Sequence, residues 1–245
     1  MTSPAPLDPF GDASRVLLVH AHPDDESIST GSLIAHLSAS GRRCFVLTAT
    51  RGERGEVRPE VDAAGGLVAL RLAEWADACD HLGVAGRVLL GTPPARAAGL
   101  APRTYEDSGM AWLDAAETLA GPAPDAPADA LSLADPAEVA ADIAACVAAF
   151  QADALLTYDA GGGYGHPDHV FLHGATRAAA SVAGLPFFEL SDAAGAVVVD
   201  ASAHLAAAAS ALGCYASQLR VEGDEVVHVG GQRQPIAVRV GVRRV

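Results

Sequence analysis

Apolar positions fall in short runs, each ending in a polar or glycine-bearing turn and followed by apolar residues at helical spacing. Val16–Val19 is the clearest run. It stops at a knot of imidazole, proline and acid, Val16 to Glu26, because Pro23 has no N–H and a fixed φ. The spacing predicts a strand over about Arg15–Ala21, a helix over about Gly31–Ser40 and a second strand over Arg43–Ala49. A helix over about Gly66–Leu82 presents Leu67, Leu70, Ala73, Trp75 and Cys79 on one side, and a short strand follows at Arg87–Leu90. Asp135-Pro-Ala-Glu138 opens a helix to about Phe150, with Asp at the cap and Pro at the first position. A strand over Asp153–Tyr158 then runs into a glycine-rich loop and a helix over about Val170–Val182. Short strands at Pro186–Leu190 and Ala196–Val199, an Ala-rich helix at Ser202–Leu212, and edge strands at Glu225–Val229 and Ile236–Val240 complete the reading.

Recurrent strand, turn and helix argue for right-handed βαβ units. The expected fold is α/β, a Rossmann-like, mostly parallel sheet with helices on both faces and a small C-terminal β/α annex, all in one domain over residues 1–245. Residues 1–13 read as a loose lead-in, and the Pro/Ala-rich residues 121–130 as a mobile loop. The long loop Gly91–Gly109 is of the kind that usually carries function.

Composition narrows the function. The chain has 245 residues, half of them hydrophobic, and a net charge of −14. An acidic surface repels phosphate backbones and anionic lipid, which argues against nucleic acid and membrane as partners. No run approaches the ~18 apolar residues of a membrane span, and the N-terminus lacks a basic start and an apolar core. Cys44, Cys79, Cys146 and Cys214 lie in apolar segments without a C-x-x-C pair and read as small buried hydrophobes. The expectation is a reduced, cytoplasmic protein; its oligomeric state is not encoded legibly.

The chemistry sits in two echoing knots, His22-Pro-Asp-Asp25 and His166-Pro-Asp-His169, each after an apolar strand. In a parallel sheet both lie on the rim of the strands' carboxyl ends, where open α/β sheets bind ligands. Two His and one Asp drawn from His22, Asp25, His166 and His169 would make a catalytic zinc site. The sulfur-free donor set also suits iron(II) or manganese. The plainer reading makes both knots helix-start turns whose histidines cap or pack. His36, His81, His173, His204 and His228 read as structural or solvated. Gly161-Gly-Gly163 lacks the phosphate-loop patterns and reads as backbone freedom over the site.

With Ala21-His-Pro-Asp-Asp-Glu26 and Tyr164-Gly-His-Pro-Asp-His169, the sequence resembles the PIG-L/LmbE-like family of zinc-dependent N-acetylglucosamine deacetylases. The resemblance extends through Gly52-Glu53, Arg71-Leu-Ala-Glu74 and Asp107-Ser-Gly-Met110, and is nearest the mycothiol-pathway branch. It implies metal ligation by His22, Asp25 and His169, a general base at Asp24, an oxyanion donor or acid at His166, and Asp168 orienting it. Tyr164 would touch the reacting carbonyl from a mobile loop, and Arg71, Asp107 and Glu53 would hold substrate. The implied reaction removes an N-acetyl group from a small amino-sugar conjugate, releasing acetate and a free amine. Ser27-Ile-Ser-Thr30 looks more like the deacetylase than the mycothiol-conjugate amidase, and Tyr215 stands where many members carry a histidine. The competing readings are that amidase, a natural-product tailoring deacetylase, and a non-catalytic α/β module binding a metal or nucleotide.

Overall fold

The computed structural model describes residues 8–114 and 119–245; the expected lead-in thus lies partly outside the described residues. In chain order the first half holds β1 (Arg15–His20), α1 (Asp25–Ala39), β2 (Arg43–Thr48), α2 (Leu67–His81), β3 (Gly86–Leu89), β4 (Ala111–Trp112) and β5 (Ala120–Gly121). The second half holds α3 (Pro136–Phe150), β6 (Ala154–Thr157), the single turn α4 (Gly162–Gly165), α5 (Pro167–Ala183), β7 (Phe187–Leu190), β8 (Val197–Asp200) and α6 (Leu205–Cys214). Three short strands, β9 (Leu219–Glu222), β10 (Glu225–His228) and β11 (Arg233–Pro235), precede the last strand, β12 (Arg239–Arg244).

The main sheet has the order β3-β2-β1-β6-β7-β12-β8. Its first five strands are parallel, and β12 runs antiparallel to both β7 and β8. Strands covered on both faces must be apolar throughout, and β1 is: its side chains alternate between two separate cores. Val16 and Leu18 join Leu33, Ile34, Trp75, Cys79 and Leu212, the faces of α1, α2 and α6. Leu17 and Val19 join Val139, Ile143, Leu172 and Ala175, the faces of α3 and α5. Each fully buried leucine contributes about 1.5–3 kcal/mol of burial. The α/β expectation, with a mostly parallel sheet and helices on both faces, holds.

This topology places the site. From β1 the chain steps outward to β2 and β3, then returns to the other side of β1 as β6. The carboxyl ends of β1 and β6 therefore flank the point where the winding reverses, and a crevice opens there.

Four sequence expectations need correction. α1 starts at Asp25 rather than near Gly31, because carboxylates in a first helical turn are favoured by the helix dipole and do not delay it. Glu225–His228 is the middle strand of a separate antiparallel sheet, β11-β10-β9. The segment read as an edge strand at Ile236–Val240 gives way to β12, which lies inside the main sheet with β8 outside it. Such non-local pairing leaves no mark on a short apolar run. α6 packs against α1 and α2, so the annex is the three-stranded sheet alone.

In residues 121–130, Gly121 pairs with Ala111 across β5 and β4, and Asp125 meets Arg54 at 2.5 Å. The cysteines are free; Cys44, Cys79 and Cys146 are buried. Burial pushes the Cys44 thiol up to about 11.

Candidate active site

β1 delivers His22, Asp24 and Asp25 on the turn into α1. The His22 backbone N–H donates to Asp25 Oδ2 at 2.9 Å, closing the turn around Pro23. β6 delivers Tyr158, and the glycine turn of α4 leads to His166, the cap residue of α5. Pro167 follows at the first helical position, where its missing N–H costs nothing. Asp168 and His169 fill that helix's first turn. The two knots thus converge, as the parallel arrangement requires. The rings of His22 and His166 stand 4.6 Å apart, and those of His22 and His169 5.5 Å apart.

Asp25 lies at the centre. Its Oδ2 is 3.2 Å from His22 Nδ1, 3.2 Å from His169 Nε2, and accepts the Tyr158 hydroxyl at 2.8 Å. The Tyr158 ring stacks on His169 at 3.9 Å and nearly parallel, which fixes that imidazole's plane. His169 Nδ1 faces the Gly162 carbonyl at 3.2 Å. A carbonyl only accepts, so Nδ1 carries the proton and Nε2 presents a lone pair. That lone pair is buried without a hydrogen-bond partner, although Asp25 Oδ2 is within reach, so distance but not direction suits a bond.

Two electron-rich atoms facing each other in a buried site call for a cation between them. The electrostatics agree. Burial pushes the His22 pKa down, but Asp107 and the bonds to Asp168 and Asp25 outweigh it and hold it well above the usual imidazole range. Asp25 is buried too, yet the His169 and His22 imidazoles beside it hold it well below the usual carboxylate range. The site favours positive charge, and its imidazole and carboxylate donors fit a divalent metal. Ring nitrogens of His22, His166 and His169 lie within 4.8 Å of one another, and so do donor atoms of His22, Asp107, His166 and Asp168. His166 is thus near enough to serve in either set. Its Nδ1, however, accepts the Asp168 backbone N–H at 3.2 Å. Burial, with the His22 and His169 imidazoles close by, pulls its pKa down to about 4. A neutral His166 with Nδ1 accepting must carry its proton on Nε2.

The Asp168 carboxylate points elsewhere. It accepts the Ser108 N–H at 3.0 Å and the Ser108 hydroxyl, and meets His22 Nε2 at 3.2 Å. Asp168 therefore meets His166 through its backbone amide, while its carboxylate orients His22.

Asp24, beside the cluster that could hold a metal, has a pKa raised to about 7. Burial is the main cause; Arg71 opposes it and Asp25 adds to it. Arg71 Nη2 contacts both the Asp24 carboxylate, at 2.8 Å, and the Pro23 carbonyl, while Nη1 donates to the Gly52 carbonyl at 3.0 Å. Gly52 is required there: a Cβ would lie 2.1 Å from Arg71 Nη1.

A cleft of about 780 Å³ opens over these groups, lined by His22, Asp24, Asp25, Arg71, Asp107, Tyr164 and His166. It falls within the ~300–1,000 Å³ typical of small-molecule sites. Tyr164 is exposed and edge-on to His166 and His169. Asp107 Oδ1 accepts the Gly109 N–H and lies 3.6 Å from His22 Nε2. Glu53 stands behind this wall, with Oε2 accepting the Asp107 N–H at 3.2 Å. The lining also includes Gln218, His228, Gln232 and Gln234, from the annex and its approach.

Some contributors escaped the sequence reading. Ser108 lay in view, between Asp107 and Gly109 in a turn-forming triplet. Tyr158 closed a predicted strand, and an aromatic hydroxyl at that rim was the available signal. The annex glutamines had none, since nothing local ties them to the knots.

Residues 17–180 match the family model described as PIG-L, GlcNAc-PI de-N-acetylase. The chain is 44% identical over 184 residues to the 1D-myo-inositol 2-acetamido-2-deoxy-alpha-D-glucopyranoside deacetylase of Kineococcus radiotolerans, covering 74% of this chain and 48% of that one. It spans about half the length of the relatives it matches. It is also similar to the N,N'-diacetylchitobiose deacetylase of Pyrococcus horikoshii, solved with an inhibitor, at a TM-score of 0.58 and 20% identity over 84% of this chain and 71% of that one. A deacetylase–teicoplanin complex gives a TM-score of 0.59 at 20% identity over 94% of this chain and 99% of that one. At these identities the structural likeness shows a common fold.

Proposed function

This chain belongs to the PIG-L family, and on that premise we propose that it is a metal-dependent N-deacetylase of an N-acetylglucosamine-type amino-sugar conjugate, releasing acetate and a free amine. The observation that carries the reading is the meeting of the two His-Pro-Asp knots where the sheet reverses its winding, around a buried, unpartnered His169 Nε2. Relatives named as deacetylases of a glucosaminyl-inositol support the amino-sugar conjugate as substrate.

His22, Asp25 and His169 would hold the ion, zinc by preference, with iron(II) or manganese compatible with the same donors. Such an ion, when bound, polarises a carbonyl and makes water a stronger acid. Asp24 removes the proton from the attacking water. Its pKa of about 7 suits a base that works near neutral pH. His166 aims its Nε2–H at the oxygen of the acetyl carbonyl and stabilises the charge that develops there; losing one such donor typically costs about 3–4 kcal/mol. Protonated Asp24 then returns its proton to the departing nitrogen. Asp168 and Ser108 hold His22 in orientation, Tyr164 closes one side of the reacting amide, and Asp107 and Arg71 face the sugar end of the cleft. Glu53 supports Asp107 from behind. The cytoplasmic placement stands as part of this proposal, in keeping with four free thiols. No helix among the described residues is long and apolar enough to cross a membrane.

The test is amine release from N-acetylglucosaminyl-inositol and other N-acetyl amino sugars before and after chelation. Stripping the metal should abolish turnover, and zinc, iron(II) or manganese should restore it. Turnover that survives full chelation removes the metal reading. No amine from any N-acetyl sugar, with metal bound, removes the deacetylase reading.

A further inference from the structure

An aspartate just before a helix ordinarily accepts N–H bonds from the first turn. Asp24 does not. It stands at φ 107, ψ −32, and its side chain makes no bond to the helix it precedes. A non-glycine residue in that region persists only where its surroundings fix it. One group does so from each side, and both act on the same peptide. Arg71 Nη2 holds the carbonyl of the Pro23–Asp24 peptide. Glu26 Oε2 accepts the N–H of that peptide at 3.2 Å. A guanidinium on the oxygen and a carboxyl oxygen on the N–H set the plane of the peptide, and with it the φ of Asp24.

Glu26 is itself fully buried and held by two further donors. Its Oε1 accepts the Ser27 hydroxyl at 2.5 Å and the Tyr215 hydroxyl at 2.7 Å. Tyr215 is the buried residue that ends α6. A first-turn side chain reaching back to the cap residue's N–H is like half of a capping box, here from the second helical position rather than the third. Here that half acts alone, and the other carboxylate, that of Asp24, stays out of the cap.

We propose that Glu26, anchored by Tyr215, is a positioning residue that clamps the Pro23–Asp24 peptide and so withholds the Asp24 carboxylate from the helix cap and turns it to the cleft. The value of this for catalysis rests on the deacetylase reading above; the clamp itself does not.

Crystal structures and steady-state kinetics of Glu26→Ala, Glu26→Gln and Tyr215→Phe test it, each with metal content measured. In Glu26→Ala, Asp24 should relax to negative φ and accept a first-turn N–H. Its kcat should fall about 10- to 100-fold, as misplacement by about 1 Å does, with KM and bound metal unchanged. Glu26→Gln keeps an oxygen for the Asp24 N–H, so φ should stay positive and most turnover should return. Tyr215→Phe should lower kcat several-fold at constant KM. If Asp24 keeps its conformation and turnover in Glu26→Ala, or if glutamine is as damaging as alanine, the clamp is refuted. Should the alanine variant not fold, wild-type kcat in Tyr215→Phe together with an Asp24 displaced in Glu26→Gln refutes it equally. If the wild-type enzyme hydrolyses no N-acetyl sugar, the deacetylase reading fails, while the variant structures still decide the clamp.

Discussion

Arg71 Nη2 lies 2.8 Å from Asp24 Oδ2, in a pair whose side chains are 3% and 16% exposed. Burial raises the Asp24 pKa and Arg71 opposes the rise. Replacing Arg71 by methionine removes the opposing charge, so the carboxylate becomes harder to form. A carboxylate beside an arginine is typically held down by about one to three pH units. The acid limb of the kcat/KM profile should therefore move to higher pH in Arg71→Met, below a plateau that is itself lowered because the Pro23 carbonyl loses its partner. A limb that stays in place would show that another group governs it.

Tyr158→Phe removes a hydroxyl that serves two buried partners, accepting the Ala21 N–H at 2.8 Å and donating to Asp25. The orphaned N–H should cost about 1–3 kcal/mol in urea unfolding. Metal affinity, read by chelator competition, should fall about 10- to 100-fold, as when other outer-shell partners are lost. Unchanged affinity would argue that Asp25 is not a ligand.

Gly162 and Gly163 both stand at positive φ, 66 and 68, but have different surroundings. A Cβ on Gly162 would lie 2.8 Å from the Val170 nitrogen and 2.9 Å from His169 Cβ, whereas one on Gly163 meets nothing within 4 Å. Gly163 stands at φ 68, ψ −96, outside the left-handed helical region, so Gly163→Ala should cost backbone strain alone, about 1–3 kcal/mol. Gly162→Ala should cost more and weaken metal binding by displacing His169. Equal effects in thermal melts and metal titrations would contradict that difference.

Leu18 is fully buried on β1. Leu18→Ala should cost about 2–5 kcal/mol in urea unfolding. Val182, 84% exposed at the end of α5, is the contrast: Val182→Ala should stay within about 0.5 kcal/mol of wild type.

Most of the fold and the heart of the site could be read from the chain. Apolar runs buried on both faces mark parallel strands, and in a parallel sheet every strand ends on the same rim. His22 and His169 therefore meet despite their separation in sequence. What escaped was set by non-local partners. Nothing near Arg239–Arg244 says that the strand pairs between β7 and β8. Nothing near Glu26 says that its carboxylate meets Tyr215. The start of α1 was hidden differently, since Asp25 and Glu26 suit a loop and a first helical turn equally. For Asp168 and Glu53 the residue type showed but the partner did not: one carboxylate turns to Ser108 and His22, and the other braces the backbone of Asp107.

β1 aligns with β6 through Val16 opposite Ala154, Leu17 opposite Leu155 and Leu18 opposite Leu156. Leu17 and Leu155 enter one core, and Leu18 and Leu156 the other. Sliding either strand by a single residue would shift it about 3.3 Å and send every side chain to the wrong face. The sheet thus works as a vernier: greasy side chains that never reach the cleft proofread the spacing of the histidines above them, and the two knots cannot slip past each other without first turning both interiors inside out.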